Sequence, residues 1–203
     1  MNYILMILLG YAVGCSNMAF YLSKLNGVDF RAGGSGNLGA SNATVLMGWK
    51  AGILVGLHDI GKAALVVLLA RLIFPDVPRI GAVAGVSCVL GHIFPFYLKF
   101  KGGKGFASYL GMTLALNWKL AIIVMLAVVV VTILTDYIVS GTLTTILAVP
   151  AYLGISGRDL LLALILLIAT VVIIYKHWEN FRRIFNGSEI GLRSTIRGEK
   201  RVR

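Results

Sequence analysis

The sequence predicts an all-α protein, a polytopic bundle of membrane helices, on three observations. Its 203 residues are 58% hydrophobic and only 13% charged, well below the roughly 25% charge of a soluble domain. The mean hydropathy is +0.88. The apolar residues gather in runs such as 4–21, 63–74, 120–134 and 160–175, too long and too unalternating for barrel strands. Backbone groups in hydrocarbon must bond within their own segment, so these runs are expected to be helices.

About seven spans follow in order: 4–25, 51–73, 80–98, 106–117, 119–135, 138–154 and 159–176. The first has no basic stretch ahead of it and no convincing cleavage site, so it is read as a retained span and not a signal peptide. Pro75 and Pro78 frame the loop between the second and third. Pro95 falls late in the third and bends it or ends it early. The fourth is short, rising about 18 Å against about 30 Å of hydrocarbon, which suggests a tilted or partly re-entrant helix. Cys15 and Cys88 both fall in spans, where packing is their expected role, and no zinc-ligand spacing occurs. With no soluble domain, repeat or low-complexity tail, residues 1–203 are read as a single integral-membrane domain.

Charge orients the spans. The segments after the first, third and seventh carry Lys24, Arg31, Lys50, Lys99, Lys101, Lys104 and the basic residues from Lys176 onward, fourteen of the 19 lysines and arginines. The opposite side holds Arg71, Arg79, Lys119 and Arg158. The positive-inside rule then puts the C-terminus in the cytoplasm and the N-terminus outside. The net charge of +11 also suits contact with anionic lipid headgroups. A nucleic-acid partner would need a soluble basic surface or an aromatic platform, and the sequence offers neither.

Unusual chemistry collects in the same basic segments. The first contains GGSGNLGASN, residues 33–42. Its small residues let backbone amides face a concavity, and Ser35, Asn37, Ser41 and Asn42 add side-chain hydrogen bonds suited to an oxyanion. A glycine-rich turn joining two helices would look similar, and the tract is neither a P-loop nor a complete G-x-G-x-x-G fingerprint. In the second segment, GHIFPFYLKFKGGKGFA (91–107), Lys99, Lys101 and Lys104 interleave with Gly102, Gly103 and Gly105. Three interfacial lysines serve topology alone, but a phosphate cradle at a helix entrance accounts for the glycines as well. The third, KHWENFRRIFNGSE (176–189), puts His177, Asn180 and Arg183 three apart, on one face if the last helix continues outward. Trp178 and Phe181 are expected to anchor in the interface.

Within the spans, Asp59 and Lys62 are three apart and can pair on one helix face, easing the cost of charge near lipid. With His92, expected as a packed and hydrogen-bonded histidine, they are candidates for supporting the loops from behind. Asp136, Tyr137, Ser140 and Thr142 mark a further polar turn, from which Ser140 or Thr142 is a candidate to touch substrate.

These three tracts, in this order and covering nearly the whole chain, resemble the motifs of the bacterial acyl-phosphate-dependent glycerol-3-phosphate acyltransferases, the PlsY family. The resemblance implies a seven-helix enzyme of the bacterial inner membrane with its site facing the cytoplasm. It would move a fatty acyl group from acyl phosphate to the 1-position of glycerol 3-phosphate, releasing lysophosphatidate and phosphate at the start of phospholipid synthesis. No cofactor or metal is implied; membrane lipids and a soluble phosphate acyltransferase that makes the donor are the implied partners. The family's catalytic and phosphate-binding roles map onto Ser35, Gly36, Asn37, Lys104, His177 and Asn180, with Glu189 in the third motif. Gly39, Asn42, Lys101, Gly102, Gly103 and Gly105 complete the expected phosphate-binding set, and Asp59, Lys62, His92 and Thr142 are its expected support.

The chain departs from the family pattern at Val45 and Asp136, where similar enzymes commonly carry arginine. The losses raise a second reading, a divergent paralogue acylating another phosphorylated acceptor. Two other classes compete: a transporter of a phosphorylated metabolite, favoured by broken helices and intramembrane charge, and a lipid-binding scaffold that recruits a soluble enzyme. The chain is small, shows no inverted repeat and clusters its polar residues toward one face, which weighs against transport.

Overall fold

The computed structural model describes residues 1–157 and 159–196; Arg158, Arg197, Lys200, Arg201 and Arg203, used above to orient the chain, lie outside the described residues. All regular structure among the described residues is helical. The chain divides into two compact units, Met1–Asn117 and Trp118–Arg203.

The first unit holds α1 (Asn2–Cys15), α2 (Met18–Asn26), α3 (Ala40–Met47), α4 (Trp49–Ile73), α5 (Ile80–Ile93), a 3₁₀ turn (Phe96–Leu98) and α6 (Phe106–Leu116). α1 ends at Cys15 with Ser16 as its C-cap, and Asn17 starts α2, its side chain accepting from the Phe20 amide, a normal N-cap device. Together they form one 25-residue apolar stretch, Asn2–Asn26. α1 packs on α5 with almost no side chain between the backbones. A Cβ at Gly14 would collide with the Cys88 carbonyl, one at Gly10 with that of Ala84, and one at Gly91 with that of Tyr11. Small residues spaced to let helices touch supply the van der Waals contact that drives association in lipid, and Cys15 and Cys88 are free thiols buried at this crossing. Gly111 brings α6 equally close to the backbone of α4 at Ile60. Pro95 interrupts the third span: α5 stops at Ile93 and Pro95 opens the 3₁₀ turn.

The second unit holds α7 (Trp118–Thr135), α8 (Ile138–Ser156), α9 (Leu160–Lys176), α10 (Trp178–Phe185) and α11 (Leu192–Ile196). Gly141 of α8 rests against the backbone of α7 at Val128, and Thr170 of α9 donates to the Ile146 carbonyl of α8 at 2.8 Å. α7 has mean hydropathy 2.5 and exposes Ile122, Ile123, Leu126, Val129, Val130 and Ile133, the apolar exterior of a helix solvated by lipid.

Among the described residues, five stretches are long and apolar enough to cross a membrane: Asn2–Asn26, Trp49–Ile73, Ile80–Leu98, Trp118–Thr135 and Ile138–Ser156. A sixth is formed if Leu160–Lys176 and Trp178–Phe185 count as one span bent by 46°. α6 has 11 residues, about 16 Å of rise, and is the short helix expected fourth. The seven expected segments therefore correspond to five full-length spans, one bent pair and one short helix.

Candidate active site

The first tract forms the loop between α2 and α3, and its shape comes from side chains on both sides. Asp29 Oδ1 accepts the amides of Arg31 and Ala32 at 2.8 and 3.2 Å, turning the chain in the manner of an Asx turn. Phe30 and Leu38 are buried and join Ala19, Ala43, Val55 and Leu98 in one apolar cluster, pinning both ends of the loop. Between them Gly34 and Gly36 adopt φ of 57° and 68°, a conformation that costs glycine little. Asn42, 2% exposed, organises this turn: its Oδ1 accepts the Ser35 amide at 2.9 Å and its Nδ2 donates to the carbonyls of Phe30 and Gly33 at 2.9 and 3.3 Å. Ser35 and Gly36 are left exposed at the tip, with Asn37 half-buried. The Asn37 amide nitrogen folds over Gly39, which caps α3.

The second tract runs from the end of α5 into α6. Lys99 and Phe100 both have positive φ, 54° and 58°, and the chain doubles back so that the amides of Gly102 and Gly103 donate to the carbonyls of Ile93 and His92 at 3.0 and 3.1 Å. The expected cradle differs in this detail, since these two amides are spent on α5. Their glycine identity has a packing cause as well: a Cβ at Gly102 would strike the His92 carbonyl, and one at Gly103 the His92 ring. Lys104 is half-buried and is followed by Gly105, at φ 93°, which opens α6. The first-turn amides of α6 have no acceptor within the helix and carry the positive end of its dipole.

The two tracts meet. Arg31 Nη2 donates to the Lys101 carbonyl at 2.7 Å, Asn17 Nδ2 to that of Leu38 at 3.4 Å, and the Leu38 carbonyl lies against Gly103. Behind them, buried in the spans, Lys62 Nζ pairs with Asp59 Oδ1 at 2.9 Å and contacts His92 Nδ1 at 2.9 Å. His92 is 3% exposed, so the expected packed histidine and the expected helix-face ion pair belong to one network.

The third tract, in the second unit, departs from the straight helix expected. α9 stops at Lys176, and α10 leaves at 46°. His177 sits at the bend, its Nδ1 2.8 Å from the Ile173 carbonyl. A carbonyl only accepts, so the proton is on Nδ1 and a neutral ring keeps its lone pair on Nε2. Asn180, 8% exposed, donates its amide N–H to the His177 carbonyl at 2.9 Å and its side chain to Glu189 Oε1 at 2.6 Å. The other Glu189 oxygen is paired with Arg183 Nε, and the amides of Ser188 and Glu189 return to the Arg183 carbonyl. Glu189 thus fastens the end of the motif to α10. Thr142 is buried and donates to its own helix at Ile138, 3.2 Å.

The two departures from the family pattern have different settings. Val45 is an exposed side chain on α3. Asp136 adopts φ 72°, and its Oδ1 and carbonyl accept the amides of Arg193 and Leu192 at 2.8 and 2.7 Å. Sequence reasoning missed the loop organisers Asn17, Asp29 and Arg31. The first two had a legible signal, a polar residue opening a helix or turn, whereas Arg31 was counted only as topological charge.

A model of the glycerol-3-phosphate acyltransferase family matches residues 4–187. The chain belongs to this family. A glycerol-3-phosphate acyltransferase of Coxiella burnetii (strain CbuG_Q212) is 39% identical to it over 191 residues, 93% of this chain and 97% of the relative. Glycerol-3-phosphate acyltransferase 1 of Oceanobacillus iheyensis is 36% identical over 211 residues, 98% and 99% of the two chains. The crystal structure of PlsY (YgiH), an integral membrane glycerol 3-phosphate acyltransferase, in its glycerol 3-phosphate form matches with TM-score 0.91 and 28% identity over 98% of this chain and 100% of that one. The lysophosphatidic acid form of PlsY matches with TM-score 0.85 and 29% identity, covering 94% and 95%. The family is therefore PlsY, and the chain is a multi-pass membrane acyltransferase by membership.

Proposed function

We propose that residues 1–203 act as one enzyme that transfers a fatty acyl group from acyl phosphate to the 1-hydroxyl of glycerol 3-phosphate, yielding lysophosphatidate and inorganic phosphate. The observation that carries this reading is the meeting of the two glycine tracts in the first unit. Arg31 ties one to the other, and Lys104 directly precedes the glycine that opens α6, the pairing of a lysine with a helix N-terminus that suits a phosphate. Solved PlsY structures in glycerol 3-phosphate and lysophosphatidic acid forms support the acceptor and the product.

The donor is already activated, so no acyl-enzyme is required. The 1-hydroxyl oxygen attacks the acyl carbon, the acyl–phosphate C–O bond breaks, and the departing phosphate takes the hydroxyl proton. The protein's tasks are to position the two substrates and to stabilise charge on the carbonyl oxygen and the leaving phosphate. Lys104 and the α6 amides suit the phosphate, and Ser35, Gly36 and Asn37 lie at the exposed tip of the adjoining loop; within the second unit, His177 and Asn180 offer a ring nitrogen and a carboxamide. The acyl tail stays in the apolar phase, and the phosphates stay in the basic segments, which we assign to the cytoplasmic side of the bacterial inner membrane. A soluble phosphate acyltransferase would supply the donor.

The test is purified protein in lipid with palmitoyl phosphate and glycerol 3-phosphate. Equimolar release of lysophosphatidate and phosphate is expected, with none from palmitoyl-CoA. Uptake of glycerol 3-phosphate into vesicles without acylation would favour a transporter. Replacing glycerol 3-phosphate by other phosphorylated alcohols tests the effect of Val45 and Asp136 on the acceptor, and a trapped acyl-enzyme would refute direct attack.

A further inference from the structure

A connected group of ionisable side chains, Asp59, Lys62 and His92 with His58 beside them, is buried between α1, α4 and α5. Lys62 Nζ donates to the Ser16 carbonyl at 2.6 Å and lies 2.9 Å from both Asp59 Oδ1 and His92 Nδ1. An ammonium has three hydrogens and no lone pair. Its three neighbours must all accept, so the His92 proton is on Nε2. An imidazolium would set two cations 2.9 Å apart in a buried site, at high Coulombic cost. The 3.3 Å approach of His92 Nδ1 to Asp59 Oδ1 is then that of two acceptors around one donor.

The rest of the chain of hydrogen bonds agrees. Tyr21 donates its hydroxyl to Ser16 Oγ at 3.3 Å, and the Ser16 hydroxyl is free to rotate and donate to His58 Nε2 at 3.0 Å. The His58 proton then sits on Nδ1, facing Asp59 Oδ1 at 3.3 Å. Each hydrogen from Tyr21 to His92 has one consistent direction, and the last, on His92 Nε2, is the one turned toward the loops.

There His92 holds the second tract twice. Its carbonyl accepts the Gly103 amide at 3.1 Å, and its Nε2 edge fills the space that a side chain at 103 would need, at the point where the Leu38 carbonyl of the first tract also arrives. We propose that His92 is a positioning residue for the Gly102–Lys104 loop, and that Lys62, anchored by Asp59 and the Ser16 carbonyl, fixes it as the Nε2–H tautomer. The ligand class served is a phosphate group bound beside Lys104. The functional consequence rests on the acyl-transfer reading; the tautomer does not.

The experiment uses the full chain in lipid bilayers with ¹⁵N-labelled histidine, read by solid-state NMR, the His92 signal being the one lost in His92→Gln. The wild type is expected to show a protonated Nε2 and a bare Nδ1, and Lys62→Met to show protonation at Nδ1. In kinetics, Lys62→Met is expected to raise KM for palmitoyl phosphate at least tenfold while kcat falls less than threefold. The affinity for inorganic phosphate, by calorimetry, should weaken by a similar factor. His92→Gln, which keeps an N–H donor near the Nε2 position, should retain more of both than His92→Leu, and this pair decides the matter if Lys62→Met does not fold. A wild-type His92 that is protonated at Nδ1 overturns the tautomer. Unchanged KM and phosphate affinity in Lys62→Met, or equal loss in His92→Gln and His92→Leu, overturns the positioning role. A wild type that binds phosphate but never acylates glycerol 3-phosphate overturns the enzyme reading alone, and the NMR and phosphate measurements still decide this one.

Discussion

Lys104 and Glu189 show how differently two polar residues of the motifs are employed. Lys104 stands one residue before the glycine that opens α6, the end of a helix where anions are favoured. Lys104→Ala is expected to reduce kcat/KM with palmitoyl phosphate at least tenfold while membrane insertion is retained; near-normal transfer by the purified variant would remove it from the site. Glu189 holds its own segment, with one oxygen taking the Asn180 amide and the other the Arg183 guanidinium. Glu189→Ala leaves both donors without that carboxylate, and a side-chain amide freed in this way costs about 1–3 kcal/mol in a buried setting. Transfer and thermal stability should both fall, and Glu189→Gln, which keeps an acceptor for Asn180, should lose less of each. Equal losses in the two variants would mean that the carboxylate charge matters and the Asn180 contact does not.

At the scale of elements, the crossing of α1 and α5 carries the first unit. Gly10, Gly14 and Gly91 bring carbonyls of one helix against Cα atoms of the other, a contact that any larger side chain would force apart. Gly14→Leu is expected to destabilise the protein by about 1–3 kcal/mol, the usual cost of overpacking. A lowered unfolding temperature in detergent would show it, with exposed Leu8→Ile on the same helix as control. If Gly14→Leu unfolds with the wild type, the close approach is not a source of stability. The same crossing positions the site, because α1 delivers the Ser16 carbonyl to Lys62 and α5 ends in the carbonyls that hold Gly102 and Gly103. In the second unit the bend at His177 does the positioning. The turn brings Nδ1 back onto the Ile173 carbonyl, which settles which ring nitrogen keeps the lone pair.

For the whole molecule, the prediction concerns which ends of the spans share a side. The excess of lysine and arginine after the first, third and last spans predicts the proposed orientation by the positive-inside rule. A cysteine introduced at Lys101 should react with a membrane-impermeant maleimide only after the cells are opened, and one at Asp76 should react in intact cells. Labelling of both in intact cells, or the reverse pattern, would overturn the proposed topology. The buried native thiols Cys15 and Cys88 should contribute little background.

Span positions were legible in the sequence because a helix in lipid satisfies its backbone within its own segment. Length, hydropathy and the prolines near 75–78 and at 95 therefore sufficed to place the apolar spans to within a few residues, the short α6 included, but not the shorter helices α3, α10 and α11. The motifs were legible as clusters of glycine with lysine or asparagine, and so was the pairing of Asp59 with Lys62, which is local to one helix. What no local pattern contains is which distant group each polar atom meets. Only the folded chain decides that the Gly102 and Gly103 amides go to α5, that Arg31 reaches the Lys101 carbonyl, that Asn42 is spent on its own loop and that His92 meets Lys62. Sequence determines helices through contacts three and four residues apart; a hydrogen-bond partner 30 or 70 residues away is chosen by how those helices pack.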